Sequence, residues 1–243
     1  MVHSLKSTPF RLIELALITC LILLFAWGAY QRNFVWKDDL TLYLDVVEKS
    51  PSKSRAYTAL QVAFMNLGRD WEAIEAGKSA IYLDPRNAEA YNNMGSAYGR
   101  LGLYEKAIRV LEKILYYAPH YGEAYYNLGV AYLAVGRYEE AADASKRAID
   151  IIPQHAEAYN NLGIALLKLN RYKEGIHALK QAISYGPDVI KAYNNLGIAY
   201  INIGEYSMAV DVLNEALYRE PDYEEARQNL RVAKSRLEEA KGK

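Results

Sequence analysis

The chain is poor in the residues that most often carry chemistry. It has one cysteine and four histidines in 243 residues. A lone thiol, Cys20, cannot close an internal disulfide, and without a cysteine pair the usual thiolate metal sites are excluded. This scarcity fits any redox compartment. The histidines at 3, 120, 155 and 177 form no H-E-x-x-H motif, and neither G-x-S-x-G nor a phosphate loop is present. Charge is lacking in the net sense: 29 Lys and Arg balance 29 Asp and Glu. With no basic stripe, nucleic acid is not an expected partner. The carboxylates are scattered over what read as solvated helix faces. No catalytic, cofactor or metal site is expected, and the chain does not read as an enzyme.

Proline is also scarce, but six of the seven prolines are periodic, standing at 51, 85, 119, 153, 187 and 221, every 34 residues. Four blocks carry nearly one phrase: AYNNMGSAY from Ala90, AYYNLGVAY from Ala124, AYNNLGIAL from Ala158 and AYNNLGIAY from Ala192. A fixed period of this length marks a solenoid, in which each helix pair buries its apolar face only by stacking on its neighbours. His120 and His155 fall in equivalent inter-repeat loops and report the repeat rather than a site.

Within each block an aromatic comes first: Tyr57, Tyr91, Tyr125, Tyr159 and Tyr193. Next come Met94-Gly95, Leu128-Gly129, Leu162-Gly163 and Leu196-Gly197. A corner follows at Gly102, Gly136 and Gly204, with Asn170 in one block and Gly68 in the first. Small positions follow at Ala73, Ala107, Ala141 and Ala209 and at Ala80, Ala148, Ala182 and Ala216. Glycine inside a helix costs about 1 kcal/mol relative to alanine, so close approach of the second helix is its natural compensation. The corner glycine or asparagine permits the left-handed backbone that ends a helix, and the proline marks the break before the next unit.

This pattern closely resembles the tetratricopeptide repeat (TPR) over roughly 170 residues. The resemblance implies an all-α, right-handed superhelix of five repeats, at 54–87, 88–121, 122–155, 156–189 and 190–223. A leading amphipathic helix over 36–50 reads as the second helix of a decayed unit. A charged helix over 224–243 reads as the cap, with Leu230, Ala233 and Leu237 facing the last repeat.

The family lines its concave wall with fixed positions of the first helix. Here one row is Asn93, Asn127, Asn161 and Asn195, with Ala59 in the first block. Beside it run Thr58, Asn92, Tyr126, Asn160 and Asn194. A third row is Val62, Ser96, Val130, Ile164 and Ile198. Each amide offers a donor and an acceptor, which suits an extended peptide backbone, while the apolar row suits side chains. The resemblance implies a protein or extended-peptide partner on Asn92, Asn93, Tyr126, Asn127, Val130, Asn160, Asn161, Ile164, Asn194, Asn195 and Ile198. The same asparagines also suit a purely structural role in supporting the helix pair.

The one long apolar run lies near the start. Residues 12–30 contain a single charge, Glu14, and span roughly 28 Å as a helix, close to the hydrocarbon thickness of a bilayer. Trp27 and Tyr30 stand at one end, as interfacial aromatics do. No small-x-small cleavage site follows, because Trp27, Tyr30, Gln31 and Arg32 are large. The run reads as a retained single span after a flank at 1–11. Lys6 and Arg11 on one side tie with Arg32 and Lys37 on the other, so positive charge leaves the orientation open. A short cytoplasmic tail with extracytoplasmic repeats (periplasmic or cell-surface) is the simpler insertion.

Two further resemblances touch this segment. Residues 30–57, with Arg32-Asn33, Trp36, Asp38 and Pro51, look like the junction in multi-span membrane glycosyltransferases that carry a C-terminal TPR domain. That layout implies an extracytoplasmic solenoid and admits a detached or truncated C-terminal part, but the other spans and an acidic catalytic loop are missing, so sugar transfer does not carry over. Residues 10–15, FRLIEL, resemble the mature start of a type IV pilin, with Glu14 four residues after Phe10. This implies a subunit of an extracellular filament or homo-oligomer, although Pro9 stands where a leader peptidase wants a small residue.

Overall fold

The computed structural model describes residues 8–241, without the side chains of 8–12 and 31–35. The readings placed on residues 1–7, including the charge of Lys6, and on the side chains of Arg11, Arg32 and Asn33, lie outside that description. The described residues form helices joined by short turns, with no strand among them. α1 spans Thr8–Val35 and α2 spans Asp39–Lys49. Five helix pairs follow: α3 (Ser54–Asn66) with α4 (Asp70–Leu83), α5 (Ala88–Arg100) with α6 (Tyr104–Tyr117), α7 (Gly122–Ala134) with α8 (Tyr138–Ile151), α9 (Ala156–Lys168) with α10 (Tyr172–Tyr185), and α11 (Ile190–Asn202) with α12 (Tyr206–Arg219). α13 (Glu224–Lys241) closes the stack.

Every pair turns its corner the same way. Gly68, Gly102, Gly136 and Gly204 have φ between 70 and 82°, and Asn170 has φ 59°. The next residue's N–H returns to a carbonyl five positions back, as in Arg171 N to Leu166 O at 2.9 Å and Leu103 N to Tyr98 O at 2.9 Å. This left-handed termination favours glycine and tolerates asparagine. Asn170→Gly should therefore shift stability by less than about 0.5 kcal/mol, whereas the β-branched Asn170→Val should cost roughly 1–2 kcal/mol. Urea midpoints of the two variants check the difference.

The first helices of successive pairs touch one another: α3 meets α5, α5 meets α7, α7 meets α9, α9 meets α11 and α11 meets α13. The second helices each pack between two first helices rather than on one another. The wall made by the first helices is therefore the shorter, inner one, and the second helices splay outward. The buried core runs as a ribbon between the walls. It includes Ile74, Leu111, Ile114, Leu179 and Leu213, with the small alanines at 73, 80, 107, 141, 148, 182, 209 and 216 fully or almost fully buried.

The helix-buried glycines are points of contact. A Cβ on Gly95 would sit 2.6 Å from Leu111 Cγ, one on Gly163 2.5 Å from Leu179 Cγ, and one on Gly197 2.5 Å from Leu213 Cγ. In the third repeat the partner of Gly129 is Ser145, whose Oγ would lie 2.9 Å away. The first repeat reverses the arrangement. Gln61 stands in the glycine position, fully buried, and Gly77 stands sixteen residues on, where the others carry the larger residue. A Cβ on Gly77 would meet Gln61 Nε2 at 2.5 Å. Gln61 Nε2 donates to Ala90 O at 3.2 Å, which ties the first repeat to the second.

Both ends differ from the interior. α2 is shorter than the helix expected over 36–50, because Asp38 caps it: its side chain accepts from Thr41 N at 2.8 Å. α13 lies in the register of a sixth first helix. Ala226, Leu230 and Ala233 are buried against the last repeat, and Leu237 is half-buried. On the face that a further second helix would cover, Arg227, Arg231 and Lys234 replace the Tyr193, Gly197 and Tyr200 of the preceding unit. A charged side chain in place of the contact glycine ends the stack. Within α1, Ile13–Tyr30 has a mean hydropathy of 2.0 and none of it is buried in the protein, so it is long and apolar enough to cross a membrane.

Candidate functional site

On α7, Glu123, Tyr126, Asn127 and Val130 fall at helical steps of three and four, and so share one face. The equivalent faces of α5, α9 and α11 line the same inner wall. Here the structure places the three rows anticipated from the repeat. A groove of about 250 Å³ opens between α5 and α7, lined among others by Ser96, Arg100, Tyr126, Asn127 and Val130.

The amides are engaged with one another. Asn127 Nδ2 donates to Asn92 Oδ1 at 2.8 Å, Asn195 Nδ2 to Asn160 Oδ1 at 2.9 Å, and Asn229 Nδ2 to Asn194 Oδ1 at 2.8 Å. Each clasp joins residues 35 apart, one more than the repeat, because it links one row to the adjacent row of the next unit. Asn160, Asn161 and Asn194 are buried in the seam, while Asn92, Asn93, Tyr126, Asn127, Asn195, Ile164 and Ile198 are half-buried and Val130 is exposed. The rows thus lie together but are not equally open. Two amide nitrogens, of Asn93 and Asn161, are buried with no hydrogen-bond partner. Their counterparts 35 residues earlier are Thr58 and Tyr126, the two positions where the row lacks asparagine. Thr58 already receives Asn87 Nδ2 at 2.9 Å.

Residues just ahead of each first helix complete the wall, and the repeat reading passed over them. Asn87 caps α5 by accepting from Ala90 N at 2.9 Å. His155, in the corresponding place, approaches Ala158 N at 3.4 Å through Nδ1 and packs on Tyr126 with ring centroids 4.6 Å apart and the planes tilted by 32°. Burial pushes the Tyr126 hydroxyl above its ordinary pKa, and Glu157 and Glu123 add to the shift. Tyr121 behaves alike, with Glu89 and Glu123 contributing after burial. The fifth amide, Asn229, lies on the cap, where a continued 34-residue count from Asn195 locates it.

The outer wall is different in kind. Toward it, first-helix tyrosines are covered by cations: Lys113 of α6 over Tyr91, Arg137 just ahead of α8 over Tyr132 and Arg219 of α12 over Tyr193, at 5.5, 4.5 and 5.0 Å to the ring centroids. Exposed glutamates there pair with their own neighbours, as Glu174 does with Arg171 at 2.6 Å.

Family models described as tetratricopeptide repeat match residues 86–154, 122–185 and 160–224, and one described as TPR repeat matches 62–102. The chain belongs to the tetratricopeptide-repeat family. Its fold is the right-handed TPR superhelix that the resemblance implied. Among solved structures it is similar to MamA, at 32% identity over 69% of this chain and 92% of that one, with a TM-score of 0.61. It is similar in fold to YrrB, described as a TPR protein with an unusual peptide-binding site, at 21% identity over 76% and 96% of the two chains and a TM-score of 0.62. It also shares its fold with PilF of Pseudomonas aeruginosa, at 18% identity over 84% and 92% and a TM-score of 0.68. No curated protein sequence matches the chain significantly.

Proposed function

We propose that this TPR protein is a non-enzymatic, membrane-anchored scaffold that docks a protein or an extended peptide on its concave wall, outside the cytoplasm. The observation that carries the docking role is the inner wall itself. It is a continuous run of first helices presenting half-buried amides beside an apolar row, with a groove at its centre. The peptide-binding site named for YrrB supports this use of the fold. The anchor rests on the apolar stretch of α1, none of which is buried. The balanced charge of the chain argues for a protein partner over nucleic acid.

Capture with the full chain in mild detergent, followed by calorimetric titration of the captured peptide segment, tests the reading. Asn127→Ala combined with Asn161→Ala removes two amides. At about 0.5–1.5 kcal/mol per hydrogen bond, the loss should be roughly ten-fold or more in affinity. Because Asn127 also clasps Asn92, Asn127→Ala alone should lower stability by about 1 kcal/mol. Asn161→Ala removes an unpaired donor and should cost less. The apolar row should act on choice of ligand: Ile164→Ala should weaken some peptides and spare others. Unchanged affinity in the double variant, with an unchanged circular dichroism spectrum, would move the binding face off the concave wall.

A further inference from the structure

The inner wall is not uniform in charge. The second residue of each first helix is Arg55, Glu89, Glu123, Glu157, Lys191 and, in the cap, Glu225. Three central repeats therefore carry glutamate at one place, bracketed by cations. Among the described residues none of these three glutamates has a lysine or arginine partner, unlike Glu72, Glu140 and Glu174 of the outer wall, which hold Arg69, Arg137 and Arg171. Between Glu123 and Glu157 stand the rings of Tyr126 and His155, tilted 32° against each other. His155 Nε2 is 3.8 Å from Glu123 Oε2, and Nδ1 is 3.2 Å from Glu157 Oε2. The two carboxylates are half exposed, at 51% and 56%, while the imidazole is nearly covered at 11%. Two carboxylates that lack a lysine or arginine partner, beside the half-buried Tyr126 ring, form a seat for a flat cation.

A second observation points to the same place. Asn161 is only 8% exposed and its amide nitrogen is unpartnered. In the three clasps the amide reaches the residue 35 positions earlier, and for Asn161 that residue is Tyr126. A buried donor without an acceptor is costly, and an arriving carbonyl that reaches it would relieve the cost.

We propose that Glu123, Tyr126, His155 and Glu157 receive an arginine side chain of a peptide lying in the concave groove, while Asn161 donates to a carbonyl of that peptide. This rests on the concave wall being the docking face. Arginine fits better than lysine, since its planar guanidinium stacks on a ring while its N–H edges reach two carboxylates. A first-turn glutamate also stabilises its own helix, so the test must read ligand preference rather than stability.

The probe is a random dodecapeptide display library, selected on the full chain in mild detergent. Selected peptides should be enriched in arginine. In a synthetic copy, replacing that arginine by the uncharged isostere citrulline should weaken binding ten-fold or more. Glu123→Gln with Glu157→Gln should lose a similar factor and no longer distinguish the two peptides. Glu174→Gln, on the outer wall, should bind as the unaltered chain does. Tyr126→Asn gives Asn161 the partner its counterparts have, so it should stay folded yet lose the arginine preference. Peptides that bind the concave wall without arginine dependence, or a double glutamine variant that still discriminates, would overturn this inference and leave the docking role standing. Recovery of no peptide at all would overturn both.

Discussion

Gly163→Leu should destabilise the repeats by roughly 1–3 kcal/mol or more, among the largest effects expected of one substitution in this chain. A Cβ there would already stand 2.5 Å from Leu179 Cγ and 3.3 Å from the Gly175 carbonyl oxygen, and a leucine adds three further carbons. The backbone oxygen cannot move aside without shifting α10. The exposed Glu238, replaced by glutamine, should cost under about 0.5 kcal/mol. The first repeat shows how the clash can be relieved, since there the large residue and the glycine have exchanged helices. Gly163→Leu combined with Leu179→Gly should therefore recover part of the loss, giving a coupling of about 1 kcal/mol or more between the two sites. Urea midpoints read all four species. Equal shifts for Gly163→Leu and Glu238→Gln would contradict the packing, and strict additivity would contradict the pairing.

The second large effect concerns α1. Ile13, Leu15, Leu17, Leu21, Leu23, Leu24 and Phe25 are each more than half exposed. At about 1.5–3 kcal/mol for burying each such side chain, their transfer out of water is worth more than ~10 kcal/mol in sum. Salt screens charges but leaves this term intact. The full chain should stay in the membrane pellet through high-salt and carbonate washing, while a chain beginning at Phe34 should be soluble and helical. External protease should remove the repeats from cells whose outer layer has been made permeable. Release by salt would remove the membrane span from the proposal, and protection of the repeats would reverse the orientation.

Much of the fold was legible because each turn of the solenoid admits only a very short list of residues. Gly102, Gly136 and Gly204 sit where φ is positive, and asparagine, the next best residue, stands at 170. Gly95, Gly163 and Gly197 sit where another helix leaves no room for a side chain. Gln61 and Gly77 were not legible as a pair, because they are sixteen residues apart on different helices and each departs from the pattern in opposite sense. The site was legible as rows but not as bonds. That Asn127 meets Asn92 rather than Asn93 depends on how one helix leans on the next, which a 34-residue period does not encode. The packing of His155 on Tyr126 was hidden for the same reason: the loop position marks the repeat, and the ring it meets stands 29 residues earlier on a different helix.

None of the eleven residues of α2 is buried. Half-buried Leu40, Tyr43 and Val47 hold it against the first repeat, while Asp45 accepts from Trp36 Nε1 at 3.0 Å, just ahead of the helix, and from Lys49 Nζ at 2.7 Å within it. Segments with so little burial open at low free energy, independently of the rest. With α1 anchored as proposed, tension between it and the repeats would fall first on α2. Drawn out from 1.5 Å to about 3.4 Å per residue, those eleven residues lengthen the tether by roughly 20 Å. Under the anchoring and docking proposed above, the concave wall would follow a receding partner over that distance with every repeat still folded, and α2 would act as a short slack line ahead of the docking face.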